Sequence, residues 1–200
     1  MLSDAFLDWW FAPWNYASSS HASQHADLIG RRDAYRLWCA GAGVASALPL
    51  TFDATWQVAA LDDGSVLASS AKLFGGLLAA RQQQQEALAQ LAVADRKWCM
   101  SIASVQPLPR TPAAPYAPGE ALEVRGLTEL SCRLEAAFPG MWSRLRLLLP
   151  RELADRVTAL LEQGIDAHDL ADNASPRALR CWRLCRRRAD EMHHAPVHSD

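Results

Sequence analysis

The feature that most constrains the fold is a set of apolar residues that recur at helical spacing in both halves of the chain. The first stripe, with steps of four, three and four residues, consists of Leu67, Ala71, Phe74 and Leu78. The second, with steps of three, four and four, consists of Leu127, Leu130, Leu134 and Phe138. Such steps place side chains on one face of an α-helix. Alternating patterns typical of strands are scarce. The sequence therefore predicts an all-α fold.

A proline-rich segment divides the chain. Residues 106–119 hold five prolines in fourteen positions. Because each proline fixes φ and removes a backbone donor, this segment cannot form a helix or a central strand. We therefore expect one domain, an irregular helical bundle in two packed halves joined by this linker. The expected halves are residues 1–105 and 120–190, and residues 191–200 form a tail.

Local signals predict where some helices begin, end or break. A helix is expected over residues 27–47, because Pro49 cannot continue it. The Asp-Asp-Gly sequence at residues 62–64 indicates a turn, and the pair Gly75-Gly76 predicts a kink or a division of the helix around it. The last helix is expected to begin at Pro176.

Charge and cysteine content argue against several classes of protein. The formal net charge of −2 gives no overall attraction to nucleic acid or to anionic membranes. Five scattered cysteines, an odd number, favour reduced thiols in a cytoplasm over a disulfide scaffold. Neither a signal peptide nor an apolar segment long enough to cross a bilayer is recognised. We therefore expect a cytoplasmic protein without membrane insertion.

The sequence carries no pattern typical of an enzyme. A glycine-rich phosphate loop, a G-x-S-x-G elbow and an H-E-x-x-H helix are all missing from it. His168 and Asp169 could be a base and its orienting acid, but adjacent residues on a helix point in different directions. We therefore expect no catalytic residue, no cofactor and no small-molecule substrate.

A zinc site is the alternative for four residues near the C-terminus. Cys181 and Cys185, followed by His193 and His194, could supply four ligands to a closed tetrahedral site. Both cysteines fall on the apolar stripe of the last helix, where a reduced cysteine behaves as a small hydrophobic residue. Packing is therefore the favoured interpretation, and we expect no metal.

The last helix is also strongly basic. Residues 177–188, RALRCWRLCRRR, carry six arginines and no acid. They could form a solvated face, a surface for phosphates or anionic lipids, or a docking face for an acidic protein. The solvated face is favoured over phosphate binding. The candidate partner-binding residues on this helix are Arg180, Arg183 and Arg187.

An aromatic cluster lies near the N-terminus. Residues 6–16, FLDWWFAPWNY, contain six aromatic residues around Pro13, and this run is too short to anchor in lipid. It could pack back on the helical body or face a partner, because Tyr and Trp combine a large apolar ring with a polar tip. Packing is favoured for Pro13 and Tyr16. The candidates for partner binding are Trp9, Trp10 and Trp14.

Two stretches together resemble a known family. The first is Phe11-Ala-Pro13-Trp-Asn-Tyr16, an aromatic residue followed by P-x-x-Y. The second is residues 138–150, FPGMWSRLRLLLP, of the form P-x-x-W-x-R-L-x-L-x-L-P. Both are similar to features of SctK, the type III secretion accessory proteins that include YscK, PscK and the HrpB-type proteins of plant pathogens. The helices of residues 73–102 and the chain length are also similar, whereas the additional tryptophans and the proline-rich linker depart from the family pattern.

The resemblance implies a helical, non-enzymatic adaptor of the cytosolic sorting platform of the injectisome. Its implied partners are the cytoplasmic domain of the inner-membrane ring protein SctD and the pod protein SctQ, through which SctL and the ATPase are recruited. Its implied location is the cytoplasm at the inner membrane. The alternative is a nucleic-acid or anionic-surface binding protein that acts through the C-terminal arginine helix.

Overall fold

The computed structural model of the chain describes residues 1–17, 30–61, 63–108, 116–163 and 176–194. Regular structure among these residues is helical throughout, which confirms the all-α prediction. The α-helices are α1 (Asp4–Phe11), α2 (Arg31–Ala42), α3 (Gly64–Arg81), α4 (Gln85–Leu88), α5 (Val93–Val105), α6 (Leu122–Ala137), α7 (Met141–Leu145), α8 (Arg151–Glu162) and α9 (Pro176–His194). Short 3₁₀-helices span Pro13–Asn15, Ala54–Ala59 and Arg146–Leu148.

The centre of the bundle is the contact between α3 and α6, where the two backbones touch. A Cβ added at Gly126 of α6 would overlap the carbonyl oxygen of Ala71, and one added at Gly75 of α3 would overlap that of Leu122. Helix axes can approach this closely only where no side chain separates them. The predicted alternative of a division at Gly75 and Gly76 was wrong, because α3 is continuous through both glycines, which lie in contacts with other helices.

Helices from both predicted halves contribute to one hydrophobic cluster around α3. The α5 and α9 helices pack against α3 beside α6. Trp182 of α9 meets Phe74 of α3 edge to face, with ring centroids 5.8 Å apart. Both predicted apolar stripes are buried in this cluster. Of the linker, residues 109–115 lie outside the described residues, and Leu108 and Tyr116 at its ends pack against the cluster.

Three predicted boundaries differ from the structure. The α2 helix ends at Ala42 rather than at residue 47, because Gly43 adopts a left-handed conformation with φ of +65° and ends the helical turn. Instead of forming an isolated turn, Asp63 caps α3, since its carboxylate accepts hydrogen bonds from the amides of Ser65 (2.7 Å) and Val66 (3.3 Å). The α9 helix continues into the predicted tail as far as His194, and residues 195–200 lie outside the described residues.

None of the described helices combines the length and the hydropathy that a bilayer span requires.

We predict that Gly126→Ala destabilises the fold by about 2–4 kcal/mol, because the added methyl group overlaps backbone atoms that cannot rotate away. Urea-induced unfolding followed by far-UV circular dichroism measures this change. Gly41→Ala is the matched control: Gly41 lies in α2, and a Cβ there would meet no atom within 4 Å. We expect the control to be stabilised by about 0.5–1 kcal/mol, since alanine loses less backbone entropy in a helix. Equal stability of the two variants would contradict the close contact of α3 and α6.

Candidate interaction surfaces

The N-terminal aromatic cluster packs mainly on the helical body. Ser3 caps α1 by accepting a hydrogen bond from the amide of Phe6. Phe6 and Trp10, one helical turn apart, are buried against Phe138, with ring centroids 5.3 and 5.5 Å from it. Pro13 is also buried, as expected, and Tyr16 is partly buried. The segment therefore closes one end of the core.

The three candidate tryptophans of this cluster have different environments. Trp10 has no exposed surface, so its prediction as a partner-facing residue was wrong: it follows Phe6 by four residues and shares its inward face. Trp9 is partly buried, donates its indole N–H to the carbonyl of Leu61 (2.6 Å) and stacks on Tyr16. Trp14 is 41% exposed and remains available to a partner.

A buried arginine joins this segment to the C-terminal half. The guanidinium of Arg144, on α7, lies over the ring of Trp10 with its carbon 3.5 Å from the centroid. Its Nη2 donates to the carbonyl of Ala45 (2.6 Å) and to the hydroxyl of Tyr35 (3.0 Å), and its Nε donates to the carbonyl of Trp10 (3.4 Å). Arg144 is fully buried. Carbonyl dipoles and an aromatic face therefore solvate this cation.

In the sequence, Arg144 belongs to the W-x-R-L pattern of residues 142–145, and that pattern alone predicts no role for it. The only available signal was an arginine in the mostly apolar run of residues 138–150, which also contains Arg146. A buried charged residue must be surrounded by hydrogen-bonding groups, but the run does not indicate which of the two arginines is buried, and the partners of Arg144 are distant in the sequence.

We call the contact of Arg144 with Trp10, Tyr35 and Ala45 the joint. An open groove of about 850 Å³ lies beside it. The end of α1 and the following 3₁₀-helix contribute Asp8, Phe11 and Trp14, and α2 contributes Arg32, Tyr35 and Arg36. Residues 46–48 complete the lining. The aromatic rings contact one another: Tyr35 lies edge to face with Phe11 (5.7 Å) and with Trp14 (6.2 Å).

Hydrogen bonds that involve Tyr35, one of the lining residues, fix the shape of the groove. Tyr35 receives the hydrogen bond of Arg144 and donates its own hydroxyl proton to the carbonyl of Ser46 at 3.0 Å. Burial raises the pKa of Tyr35 to about 12, so this hydroxyl keeps its proton and its donor role at neutral pH. Arg144, α2 and the loop of residues 45–46 are thereby tied into one unit. Of the groove residues, the sequence indicated only Trp14.

Some arginines of α9 bond to other parts of the fold, whereas others are exposed. Arg186 donates to the carbonyl of Val58 (2.7 Å), and Arg188 pairs with Asp95 (3.1 Å). The three candidates Arg180, Arg183 and Arg187 are exposed, as predicted, and they share one face of α9. Arg187 lies 3.8 Å from Glu191. Fewer arginines of α9 are therefore available to a partner than the six in residues 177–188 suggested.

The four residues of the zinc alternative do not converge. Cys181 and Cys185 are buried on the inner face of α9, where the predicted packing role is found. His193 is exposed and lies 3.0 Å from the hydroxyl of Ser69, while His194 contacts the carbonyl of Asp190. Among the residues that the structure describes, no group of three or more His, Cys, Asp or Glu side chains could hold a metal ion.

Comparisons with protein-family models, with curated proteins and with solved structures give no match to this chain.

We predict that Arg144→Ala lowers the free energy of unfolding by about 3–5 kcal/mol, since it leaves a cavity and buried acceptors without donors. Arg146→Ala is the matched control two residues away, because Arg146 is only partly buried and donates long hydrogen bonds to Ala42 and Gly43. We expect the control to lose about 1 kcal/mol or less. Urea titration with tryptophan fluorescence measures both. A loss no larger than that of the control would contradict the role given to Arg144.

We also predict that the five cysteines react slowly in the folded protein. All are buried and free, and burial raises the pKa of the Cys99 and Cys132 thiols to about 12 and that of the other three above its usual value. Because only the thiolate attacks iodoacetamide, little labelling is expected at pH 8, whereas all five should react in guanidinium chloride. Intact mass spectrometry counts the adducts. Rapid modification of any cysteine in the native protein would contradict this burial.

Proposed function

We propose that the protein is a non-enzymatic adaptor of a type III secretion sorting platform, joining the SctD cytoplasmic domain to SctQ. The observation that carries this proposal is that the second stretch of the SctK resemblance packs against the part of α1 directly before the first stretch, and bonds to Tyr35, on which Phe11 and Trp14 pack. Phe11–Tyr16 and residues 138–150 are more than 120 residues apart in the sequence. In the structure, their flanking and internal residues meet: Arg144 lies over Trp10, and Phe138 packs on Phe6 and Trp10.

This contact supports the resemblance because it gives both motifs one physical purpose. Arg144 and the aromatic residues around it form one packed unit that joins the N-terminal segment to α7. The joint borders the open groove, so the same residues that stabilise the fold also shape an exposed surface. An adaptor acts through such rigid surfaces.

The chemistry of the groove further supports a binding role. Its lining contains Asp8, two arginines and aromatic rings, but among the described lining residues it has no histidine or cysteine to act as a base or nucleophile. The contact of Ser69 with His193 is exposed, and neither residue is in the lining of the groove. Both features suit recognition better than bond-making.

We predict that the full chain co-purifies with the SctD cytoplasmic domain and with SctQ of the same secretion system when the three are co-expressed. Affinity purification on each partner in turn, followed by size-exclusion chromatography, measures association. The capture of SctL by SctQ in the same preparation is the positive control. If SctQ retains SctL while neither SctD nor SctQ retains the chain, the adaptor proposal is wrong.

A further inference from the structure

We propose that the groove between α1 and α2 binds an acidic peptide segment of a partner protein in extended form. An apolar side chain of the peptide inserts between the rings of Phe11 and Trp14, and its carboxylates bind Arg32 and Arg36. This inference deepens the adaptor function, because it names the surface and the chemistry of one partner. It rests on that function only in requiring a macromolecular partner.

The apolar part of the groove is exposed although its rings are well packed. Phe11 and Trp14 are each 41% exposed, yet both contact Tyr35 edge to face, and Trp14 also meets Trp38 in this geometry at 6.5 Å. Aromatic rings that are fixed on one side and open on the other lose little conformational entropy on binding. Such rings are typical anchors of protein interfaces.

The charged lining residues are two arginines and one aspartate, so the groove is positively charged and favours an acidic occupant. Arg32 and Arg36 lie one turn apart on α2, and both are exposed. Arg36 is 4.0 Å from Asp33, with both side chains more than half exposed, so water screens this pair and an incoming carboxylate can replace it. Their guanidinium groups can bind carboxylates in bidentate fashion.

The other side of the groove is polar but carries less charge. Asp8 of α1 and Asn15 of the following 3₁₀-helix line it, on elements other than the α2 helix that carries the arginines. A carboxylate and an amide can accept and donate hydrogen bonds to a peptide backbone, which an extended segment leaves unpaired. The two sides therefore offer charge pairing along one edge of a peptide and backbone contacts along the other.

The size and rigidity of the groove fit a short segment. A volume of about 850 Å³ lies within the usual range for small ligand sites and accommodates a few side chains rather than a domain. Hydrogen bonds from Arg144 to Tyr35 and Ala45 hold the lining in place before any ligand arrives. A preformed site binds with a lower ordering cost than one that must assemble.

The test uses the full chain and fluorescein-labelled peptides of one length in fluorescence anisotropy. The first peptide has a central Phe-Leu pair flanked by glutamates. In the second, glutamines replace the glutamates, in the third lysines do, and in the fourth alanines replace the Phe-Leu pair. We expect only the first to bind well, with an affinity that falls as salt is added. Equal affinity for the glutamate, glutamine and lysine peptides would overturn the proposal.

Variants locate the binding. We expect Trp14→Ala to weaken the glutamate peptide about tenfold, as for an interface anchor. The double variant Arg32→Glu with Arg36→Glu leaves the core untouched and should abolish this binding and favour the lysine peptide instead. The matched control reverses the charge of two exposed arginines on α9, with Arg180→Glu and Arg183→Glu. This variant should bind the glutamate peptide as the unaltered chain does. Binding unchanged by the α2 reversal, or lost equally in the α9 control, would overturn the assignment to the groove.

Other occupants would give different results. Self-association through the groove predicts a dimer in analytical ultracentrifugation that Trp14→Ala dissociates, and lipid binding predicts capture by phosphatidylserine vesicles that the α2 reversal abolishes. Either result without peptide binding rejects the proposal. The adaptor function is separable: if SctD and SctQ retain both the unaltered chain and the groove variants, the adaptor stands and the groove assignment fails. If neither SctD nor SctQ retains the chain but the glutamate peptide binds, the adaptor proposal fails and the groove assignment holds.

Discussion

The contact of α3 with α6 is the constraint on which the rest of the structure depends. Where Gly75 and Gly126 meet, each backbone fills the space that a side chain would take in the other helix. This close approach brings the flanking stripes of Leu67, Phe74, Leu127 and Leu134 into one dry interior. The α5 and α9 helices pack on other faces of α3. A displacement of α3 at these glycines would therefore disturb its packing against each of these helices.

The second organising element is electrostatic rather than steric. Burying Arg144 is costly, and no carboxylate among its described hydrogen-bond partners compensates the charge. A cation in this position is nevertheless specific, because its three hydrogen bonds form only when Trp10, Tyr35 and Ala45 all occupy their places. Apolar packing alone would tolerate several arrangements of an aromatic N-terminal segment. The arginine therefore specifies one arrangement, and with it the shape of the groove.

Periodicity was sufficient to predict the helical class and the buried faces of α3, α6 and α9, because each face depends on spacing within a single helix. It failed at Gly75-Gly76, where local propensity indicated a break but a partner helix 50 residues away decided the outcome. Periodicity also gave the wrong environment for Trp10. Trp9 and Trp10 are adjacent, and the position where α1 docks decides which of the two faces the core. The groove could not be predicted at all, because its lining comes from three segments whose contacts, through Tyr35 and Arg144, do not follow from the spacing within any one of them.

The two exposed features that attracted attention in the sequence are not equivalent as binding surfaces. The arginines of α9 form part of a convex helix face, and two of the six are committed to Val58 and Asp95. A convex cationic face attracts many anions with little discrimination, because charge alone carries no shape. The groove adds concavity, fixed aromatic rings and arginines on one side only. Because shape and charge together discriminate better than charge alone, the groove is the better candidate of the two surfaces for selecting one partner.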